Sequence, residues 1–480
     1  MKKLFALAFV GILSSMPMAL SQTAPAWKSF SDTGNTVDIV KSTQVAAQLG
    51  LKVDVTDGRL ESPTLDGGVE TVTPTDVPGS TGTALVNSGW VDLYYIAKET
   101  FITSATTWTV CASGCKYTSP LDAWHAAEFA NILGNATLTI SIADGTYNIS
   151  DQMFTASTST QNVQIIGNTT TPANVVLNFT NTKGSNLSGV AAYRGGKVGY
   201  VDGVTIQTPT DGTGALASID SSGRHIWNSQ SYGAGIIAYD SGSNVTVGPH
   251  VVIHGFYYSM VADNNGGIDA PNGHVTMSLA GDVNAMARGG GVIVCNNCSA
   301  TDASDYTNTA IPLGSNYDAE RGGSLYIDGS TGSKSLVNGV VGLTGGHIWA
   351  HNTTFTGSLI SGSGNGAWVT GNSSAEFTGS SFSGYLNGVD SMSGGQAFVD
   401  TTTLTGNTNG AVADGGSVSG DGAIITNNTQ YGVQALHQGH VTLYNAYANM
   451  TGNGTNFSAE AAGTDSTSGA PYTASSIVLQ

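Results

Sequence analysis

Asn387-Gly388-Val389 and Asn409-Gly410-Ala411 belong to the stretch that decides the fold, because the same short phrase returns at a fixed interval between Asn338 and Gly454. The phrase begins with an Asn-Gly pair, once replaced by Tyr-Gly, and its first residues are Asn338, Asn365, Asn387, Asn409, Tyr431 and Asn453. The successive steps are 27, 22, 22, 22 and 22 residues. A fixed period of this length is typical of a solenoid, in which each repeat buries its apolar face against its neighbours.

Apolar residues recur at constant offsets from the start of this repeat. The second offset holds only small apolar residues, namely Val340, Ala367, Val389, Ala411 and Val433. The twelfth offset is apolar in every repeat except at Asp421. The segments between turns are about four to six residues long and rich in Val, Ile, Thr and Phe, which is strand composition and too short for helix. The sequence therefore predicts an all-β solenoid, a parallel β-helix of about 22 residues per coil, with coils stacked about 4.8 Å apart.

The N-terminus has the three parts of a secretory signal peptide: a basic start, an apolar run from Leu4 to Leu13, and small residues at Ala19 and Ser21. We predict a signal peptide at 1–21. No later run approaches the roughly 18 apolar residues of a membrane span. The expected product is secreted or on the cell surface, or part of a virion if a phage encodes it.

Composition narrows the possible partners. Only 10% of residues are charged, and 15 Lys and Arg against 33 Asp and Glu give a net charge of −18. Such a chain repels phosphate backbones, so nucleic acid is not an expected partner.

Residues 22–100 lack the repeat pattern. A short helix is predicted at 42–51, and the Pro, Thr and Gly content of 62–88 indicates a linker, so this region is interpreted as a head segment followed by a linker. Residues 461–480 are interpreted as a flexible C-terminal tail. Between these two regions, 101–460 is expected to form the β-helix.

The β-helix is expected to begin with a capping helix at 120–133. Ser119-Pro120 offers an N-cap and a proline at the first helical position, and an apolar stripe follows. The strand pattern Leu138–Ile142, the turn Asp144–Tyr147 and the segment Asn162–Asn168 come next. A helix at this place would cover the open end of the stack.

With these segments, the chain resembles the pectate-lyase-like right-handed β-helix superfamily, and within it is most similar to phage tailspike and tail-fibre proteins. The resemblance covers about residues 101 to 460, roughly three quarters of the chain. It implies a right-handed parallel β-helix and, from the tailspike type, a homotrimer. Activity does not follow, because the superfamily contains lyases, hydrolases, adhesins and scaffolds.

Candidate catalytic residues lie near the end of a polar stretch at 295–328, which interrupts the repeat and is interpreted as an insertion. Asp318, Glu320 and Arg321 place two carboxylates and a guanidinium close together in a chain with few charges. On an extended segment Asp318 and Glu320 share a face, about 6.5 to 7 Å apart along the backbone, which suits an acid/base pair. The alternative is a solvated strand with a local ion pair. The sequence motifs of polygalacturonases and of pectate lyases are absent.

Metal binding is less well supported. Asp263–Asp269 resembles an oxygen-rich calcium loop but lacks a downstream bidentate Glu, so a plain Asn/Gly turn is the favoured interpretation. His347 and His440 occupy the same offset but lie four coils apart, about 19 Å, and cannot share a metal ion. No cofactor is expected, with Ca²⁺ as the weaker alternative.

Aromatic residues predicted to face outward suggest a binding surface. Trp349, Trp368 and Tyr444 fall on outward positions by alternation. Exposed aromatics on a flat sheet need a partner, either a sugar ring or a neighbouring subunit of a homotrimer.

Four cysteines form two close pairs, Cys111 with Cys115 and Cys295 with Cys298. In an exported protein, short-range disulfides are the favoured interpretation, with free thiols and a four-thiolate zinc site as alternatives.

Three functions remain open from the sequence. The first is a tailspike- or adhesin-like protein that binds surface polysaccharide and, in a stronger form, also cleaves it. The second is a polysaccharide lyase or glycoside hydrolase of the same fold. The third is a structural scaffold of a virion tail or cell surface.

Overall fold

The computed structural model describes residues 101–180, 188–208, 233–303, 314–358, 364–446, 449–460 and 474–480, together with the backbones of the short strands outside these ranges. The predicted signal peptide at 1–21 and most of the helix predicted at 42–51 lie outside the described residues. The chain divides into two units, Met1–Lys98 and Glu99–Gln480. In the first unit, strands Leu51–Thr56 and Arg59–Leu65 pair antiparallel.

The second unit is an all-β parallel β-helix, because successive coils cross three long parallel sheets in the same order. Sheet A has 14 strands: Thr106–Val110, Leu138–Ile142, Val163–Ile166, Lys197–Asp202, Asn244–Val247, Gly267–Ala270, Val292–Cys295, Ser324–Tyr326, His347–Trp349, Ser374–Glu376, Gln396–Phe398, Ser417–Asp421, His440–Tyr444 and Ser476–Leu479. Sheet B has 11 strands: Gly145–Ile149, Val175–Phe179, Val204–Gln207, Val251–His254, Thr276–Ser278, Ser299–Thr301, Thr331–Ser335, Thr354–Ser358, Ser381–Ser383, Thr403–Thr405 and Ile424–Thr426. Sheet C has 12 strands: Met153–Thr155, Val190–Tyr193, Ala234–Tyr239, Tyr258–Asp263, Val283–Arg288, Ser315–Glu320, Asn338–Leu343, Asn365–Thr370, Asn387–Met392, Asn409–Asp414, Tyr431–Leu436 and Thr455–Ala459.

The remaining elements are short. Strand Thr100–Ile102 pairs with Ala130–Ile132, Leu216–Ile219 with His225–Trp227, and Gly463–Thr464 with Pro471–Tyr472. Two 3-10 turns span Ser159–Asn162 and Pro172–Asn174. Among the described residues, none of the helices is long and apolar enough to cross a membrane.

The core is a ladder of apolar side chains that stack from coil to coil. In sheet B, Phe355, Phe382 and Leu404 occupy equivalent positions in successive coils and are fully buried. The Phe355 and Phe382 rings stack with centroids 5.1 Å apart. Because side chains alternate along a strand, the residues on either side of each core position face outward.

The repeated Asn-Gly pair begins a strand of sheet C, and its Asn and its Gly each have a separate structural role. The Asn387 amide donates to Asn365 Oδ1 at 2.9 Å, and the Asn409 amide donates to Asn387 Oδ1 at 2.8 Å, so the asparagines form a ladder along the stack. A Cβ at Gly388 would lie 2.7 Å from the carbonyl oxygen of Gly410 in the next coil. The pair therefore marks a position where adjacent backbones approach closely and a buried amide links the coils.

Asp421 breaks the apolar pattern of the core because the turn before its strand differs in length from the other turns. The turn into sheet A is one residue shorter before Ser417 than before Gln396, so the register step is 21 residues there and 23 residues at the next coil. Gly420 takes the interior position that Leu443 fills in the next coil. Asp421 therefore lies one position beyond the core and is exposed.

The capping helix α1 spans Pro120–Glu128 and is shorter than the predicted 120–133. Ser119 caps it by accepting from the backbone N–H of Asp122, and Ala123, Trp124 and Ala127 are fully buried against the first coils. The chain then changes to the extended strand Ala130–Ile132, because this segment pairs with Thr100–Ile102. Leu133, expected on the apolar stripe, is therefore about half exposed.

Two further boundary predictions are corrected by the strands. The insertion predicted at 295–328 contains three regular strands of the coil, and only the connection 302–314 departs from it; residues 304–313 lie outside the described part. The predicted tail at 461–480 ends in strand Ser476–Leu479, which pairs with His440–Tyr444 in sheet A. Its alternating apolar residues Ile477 and Leu479 pack on the end of the core, which explains its order.

Candidate functional site

Asp318 and Glu320 lie on the same outward face of sheet C, as the alternation predicts. They belong to strand Ser315–Glu320, whose residues Tyr317 and Ala319 point into the core and are fully buried. Arg321 follows in the turn that leads to sheet A.

Asp318 is almost completely buried although it faces outward. Its exposed fraction is 3%, and its neighbours in the adjacent coils are Met286 and Val341, both buried. Burial raises the pKa of Asp318 well above its usual range, the nearby charges of Glu320 and Asp282 raise it further, and Arg288 opposes them. Asp318 is therefore not solvated, and the alternative of a solvated strand is wrong for this residue.

Glu320 is the more accessible carboxyl of the pair. Its side chain is 16% exposed, and its register partner in the preceding coil is Arg288. The Arg288 Nε donates to Asp263 Oδ2 at 2.7 Å, so this guanidinium is held in place beside Glu320. The expected local ion pair is loose: Arg321 Nε lies 3.8 Å from Glu320 Oε1, and the Arg321 side chain is 70% exposed.

The structure adds residues that the sequence did not single out. Asp282 is buried next to Asp318, and the Tyr258 hydroxyl hydrogen-bonds to Asp282. Burial, followed by the charge of Asp282, raises the pKa of Tyr258. We call the group Tyr258, Asp263, Asp282, Arg288, Asp318 and Glu320 the sheet C cluster. It brings together a buried carboxyl with a raised pKa, Asp318, and a more accessible carboxyl, Glu320, with one guanidinium and one phenol nearby.

Trp368 belongs to the same face as the sheet C cluster. In register, Asp318 is followed by Val341 and then by Trp368, so the indole is two coils from the carboxyl, about 10 Å. Asp390 occupies the next position in this row. Burial raises the pKa of Asp390 to about 6, an effect reduced by the hydrogen bond from Asn387 and increased by Asp414.

Trp349 and Tyr444 lie on sheet A, so the three predicted aromatic residues do not form one surface. The Trp349 ring stacks on Tyr326 with centroids 4.5 Å apart and planes nearly parallel, so one face of each ring is occupied. Tyr444, at the end of strand His440–Tyr444, is 43% exposed.

Sheet B offers no comparable chemistry over the same coils. Between Thr276 and Thr426, the outward residues of sheet B that pair in register all carry a hydroxyl group except Ile424. None of these described residues has a titratable side chain. Sheet C is therefore the face on which carboxyls, a guanidinium and an indole come together.

The calcium-loop sequence forms a tight turn whose carboxylates bind protein groups. Asn264 and Asn265 adopt left-handed φ angles of 51° and 65°, and the Asn264 amide donates to Asp240. Asp263 binds Arg288, while Asp269 lies on sheet A. In the described part of the chain, no three or more His, Cys, Asp or Glu side chains are grouped to hold a metal ion.

Both predicted cysteine pairs are disulfide-bonded in the structure. The Cα atoms of Cys111 and Cys115 are 5.5 Å apart, and those of Cys295 and Cys298 are 5.6 Å apart. The second pair is fully buried at the corner between sheets A and B.

Comparison with known proteins gives structural neighbours only. No protein-family model matches the chain, and no curated protein matches it. The chain is similar to the catalytic unit of a thermostable GH87 alpha-1,3-glucanase from Streptomyces thermodiastaticus, with 13% identity, a TM-score of 0.45, and coverage of 83% of this chain and 70% of that chain. It is also similar to a GH87 alpha-1,3-glucanase catalytic domain in complex with nigerose, with 11% identity, a TM-score of 0.44, and coverage of 83% and 69%. The mannuronan C-5 epimerase AlgE6 A-module of Azotobacter vinelandii has 15% identity, a TM-score of 0.36, and coverage of 75% and 93%. Similarity at this level carries no argument about function.

Proposed function

We propose that this chain is an exported β-helix protein that binds a polysaccharide along sheet C and hydrolyses it at the sheet C cluster. One observation carries the proposal: a buried carboxyl with a raised pKa, Asp318, lies two residues from the accessible carboxyl of Glu320 on one face. Two carboxyls in contrasting environments are what general acid/base cleavage of a glycosidic bond requires. In this role Glu320 contacts the substrate or its attacking water, and Asp318 holds the proton.

The surrounding residues support this arrangement. Arg288, held by its hydrogen bond to Asp263, lies beside Glu320 in the preceding coil and places a positive charge next to the substrate position. Trp368, two coils along the same face, offers an apolar ring surface for a sugar unit. A chain with only 10% charged residues concentrates six polar and charged side chains at this position.

The test is hydrolysis of a panel of neutral and acidic polysaccharides by the purified protein. We expect new reducing ends, and we expect Glu320→Gln and Asp318→Asn each to reduce the rate by at least about 100-fold. Lys334→Ala is the control, because this exposed side chain lies on sheet B and should change the rate less than threefold. Release of unsaturated uronate, seen as absorbance at about 235 nm, would instead show a lyase. Cleavage that persists in both carboxyl variants would contradict the assignment of the site.

Binding without cleavage is the second candidate, and Trp368 on the same face favours it, because an apolar ring can bind a sugar unit whether or not a bond is cleaved. An adhesin- or tailspike-like protein would use sheet C only as a recognition surface. In that case the panel would show no cleavage, while a polysaccharide would still slow the protein in a native gel. Trp368→Ala should then abolish the retardation, and Glu320→Gln should preserve it.

Assembly as a homotrimer, expected from the tailspike resemblance, remains part of this proposal. Sheet A supports it, because this sheet carries the Tyr326–Trp349 stack and, further along, the exposed rings of Phe398 and Tyr444. Light scattering on the purified protein should give three times the chain mass. A monomer would remove the trimer and leave the sheet A aromatics as part of a monomer surface.

A further inference from the structure

An open groove lies at the corner where three successive turns lead from sheet C into sheet A. Its volume is about 450 Å³. Its walls are formed by Gln396, Ser417, His437, Gln438 and His440, and its floor by the glycines of two turns. None of these residues belongs to the sheet C cluster.

Each imidazole in the groove has a hydrogen-bond partner in an adjacent coil. His440 Nδ1 lies 2.7 Å from Ser476 Oγ, and His437 Nδ1 lies 2.5 Å from Asp414 Oδ1. The two imidazoles, the two carboxamides and the Ser417 hydroxyl of the lining can both donate and accept hydrogen bonds. Sugar hydroxyls are donors and acceptors as well, so their chemistry matches this lining.

The floor of the groove is bare because the stacking of the turns excludes side chains there. A Cβ at Gly395 would lie 2.1 Å from the carbonyl oxygen of Val369, and one at Gly416 would lie 2.6 Å from that of Ser391. The coil geometry thus leaves room for a ligand over the glycine backbone.

The groove lies on the line that continues from the sheet C cluster along the stack. In register, Glu320 is followed by Leu343, Thr370, Met392 and Asp414 in successive coils. Asp414 directly precedes the middle turn of the groove, so that turn is four coils from Glu320, about 19 Å. Trp368 lies between the two sites on sheet C. A linear polysaccharide can therefore occupy both sites at once, whereas a disaccharide cannot span them.

The charges around the groove indicate which kind of polysaccharide it would bind. The described lining contains no Lys or Arg, and two acidic residues flank it: Asp414, bound to His437, and Glu460, whose Oε2 accepts from the backbone N–H of His437 at 2.7 Å. An anionic chain would be repelled here.

We propose that this groove is a distal subsite for a neutral polysaccharide chain that is cleaved at the sheet C cluster, which makes the protein specific for long chains. The proposal rests on the proposed function. Binding energy gained in the groove adds to that at the cluster only when one chain reaches both.

The test compares a polymer hydrolysed in the panel with its own di- and trisaccharides. His440→Ala and Gln396→Ala should each raise KM for the polymer about tenfold with little change in kcat, because they remove binding remote from the reacting bond. Neither should alter kcat/KM for the trisaccharide. The matched control is His347→Ala: His347 occupies the same row of sheet A and has the same kind of partner, Ser374 Oγ at 2.8 Å, but lies outside the groove. This variant should behave as the wild type.

The outcomes separate the two proposals. Equal losses on polymer and trisaccharide, or no loss on polymer, would overturn the subsite while leaving hydrolysis intact. If no polysaccharide is cleaved, retardation of the protein in native gels that contain a soluble neutral glucan decides whether the groove binds a neutral chain. Retardation that His440→Ala weakens and His347→Ala does not would support the groove despite the failure of the hydrolase proposal. If no neutral polymer in the panel is cleaved or retards the wild type, the subsite proposal fails. The hydrolase proposal fails with it unless an acidic polymer is cleaved.

Discussion

At the residue scale, Asp390 couples the stability of the fold to pH. Burial raises its folded-state pKa to about 6, against about 3.9 for an unfolded Asp. The folded protein therefore holds this proton more tightly than the unfolded chain does. The resulting stabilisation is complete below about pH 4 and is lost as pH rises through about 6.

Asp390→Asn should remove this dependence. The substituted amide can still accept the hydrogen bond from Asn387, which the wild type makes at 3.0 Å to Oδ2. We expect the variant to be more stable than the wild type at pH 7 by roughly 2 to 3 kcal/mol and nearly equal to it at pH 4. Urea unfolding at the two pH values measures the difference. A variant that is less stable than the wild type at pH 7 would contradict the assignment.

Sequence alone predicted part of the sheet C cluster, for an identifiable reason. Asp318 and Glu320 are two residues apart on one strand, so alternation places them on one face without knowledge of any other coil. Asp282 and Arg288 reach them only through the register between coils, where the step from Arg288 to Glu320 is 32 residues. The connection 302–314 lengthens this step beyond the 22-residue period, so the period could not align them. The burial of Asp318 could not be predicted from the sequence either, because it depends on neighbours in adjacent coils.

At the element scale, the asparagine ladder that opens the strands of sheet C links coils through buried amides. Asn387 both donates to Asn365 and accepts from Asn409. Asn387→Ala leaves three polar groups without this partner, namely Asn365 Oδ1, Asp390 Oδ2 and the Asn409 amide, so we expect a loss of about 1 to 3 kcal/mol in unfolding free energy. Ser381→Ala is the control, since it removes an outward hydroxyl of sheet B and should change stability by less than about 0.5 kcal/mol.

Hydrogen exchange locates the effect of Asn387→Ala. Because each coil contacts mainly its neighbours, faster amide exchange should be confined to strands Asn365–Thr370, Asn387–Met392 and Asn409–Asp414. Uniformly faster exchange across sheet C would show that the ladder is not a local link.

The coil period was readable from the sequence because its turns and core positions recur in the chain itself. The end of helix α1 and the C-terminal strand were not, since both depend on pairing with distant segments: Ala130–Ile132 with Thr100–Ile102, and Ser476–Leu479 with His440–Tyr444. Local propensity favours helix through Leu133, and the pairing overrides it.

At the scale of the whole molecule, the C-terminal strand covers the edge of sheet A. Strand Ser476–Leu479 pairs residue by residue with His440–Leu443, and Ile477 and Leu479 pack against the core. Unpaired sheet edges promote association with other chains. Deleting residues 475–480 exposes the edge of strand His440–Tyr444, and we expect concentration-dependent self-association in light scattering. Val478→Ser, at a 40% exposed outward position, keeps the backbone pairing and should leave the mass of the full chain unchanged. If the truncated protein has the same mass as the full chain at every concentration and exchanges the amides of His440–Tyr444 no faster, the strand does not protect this edge.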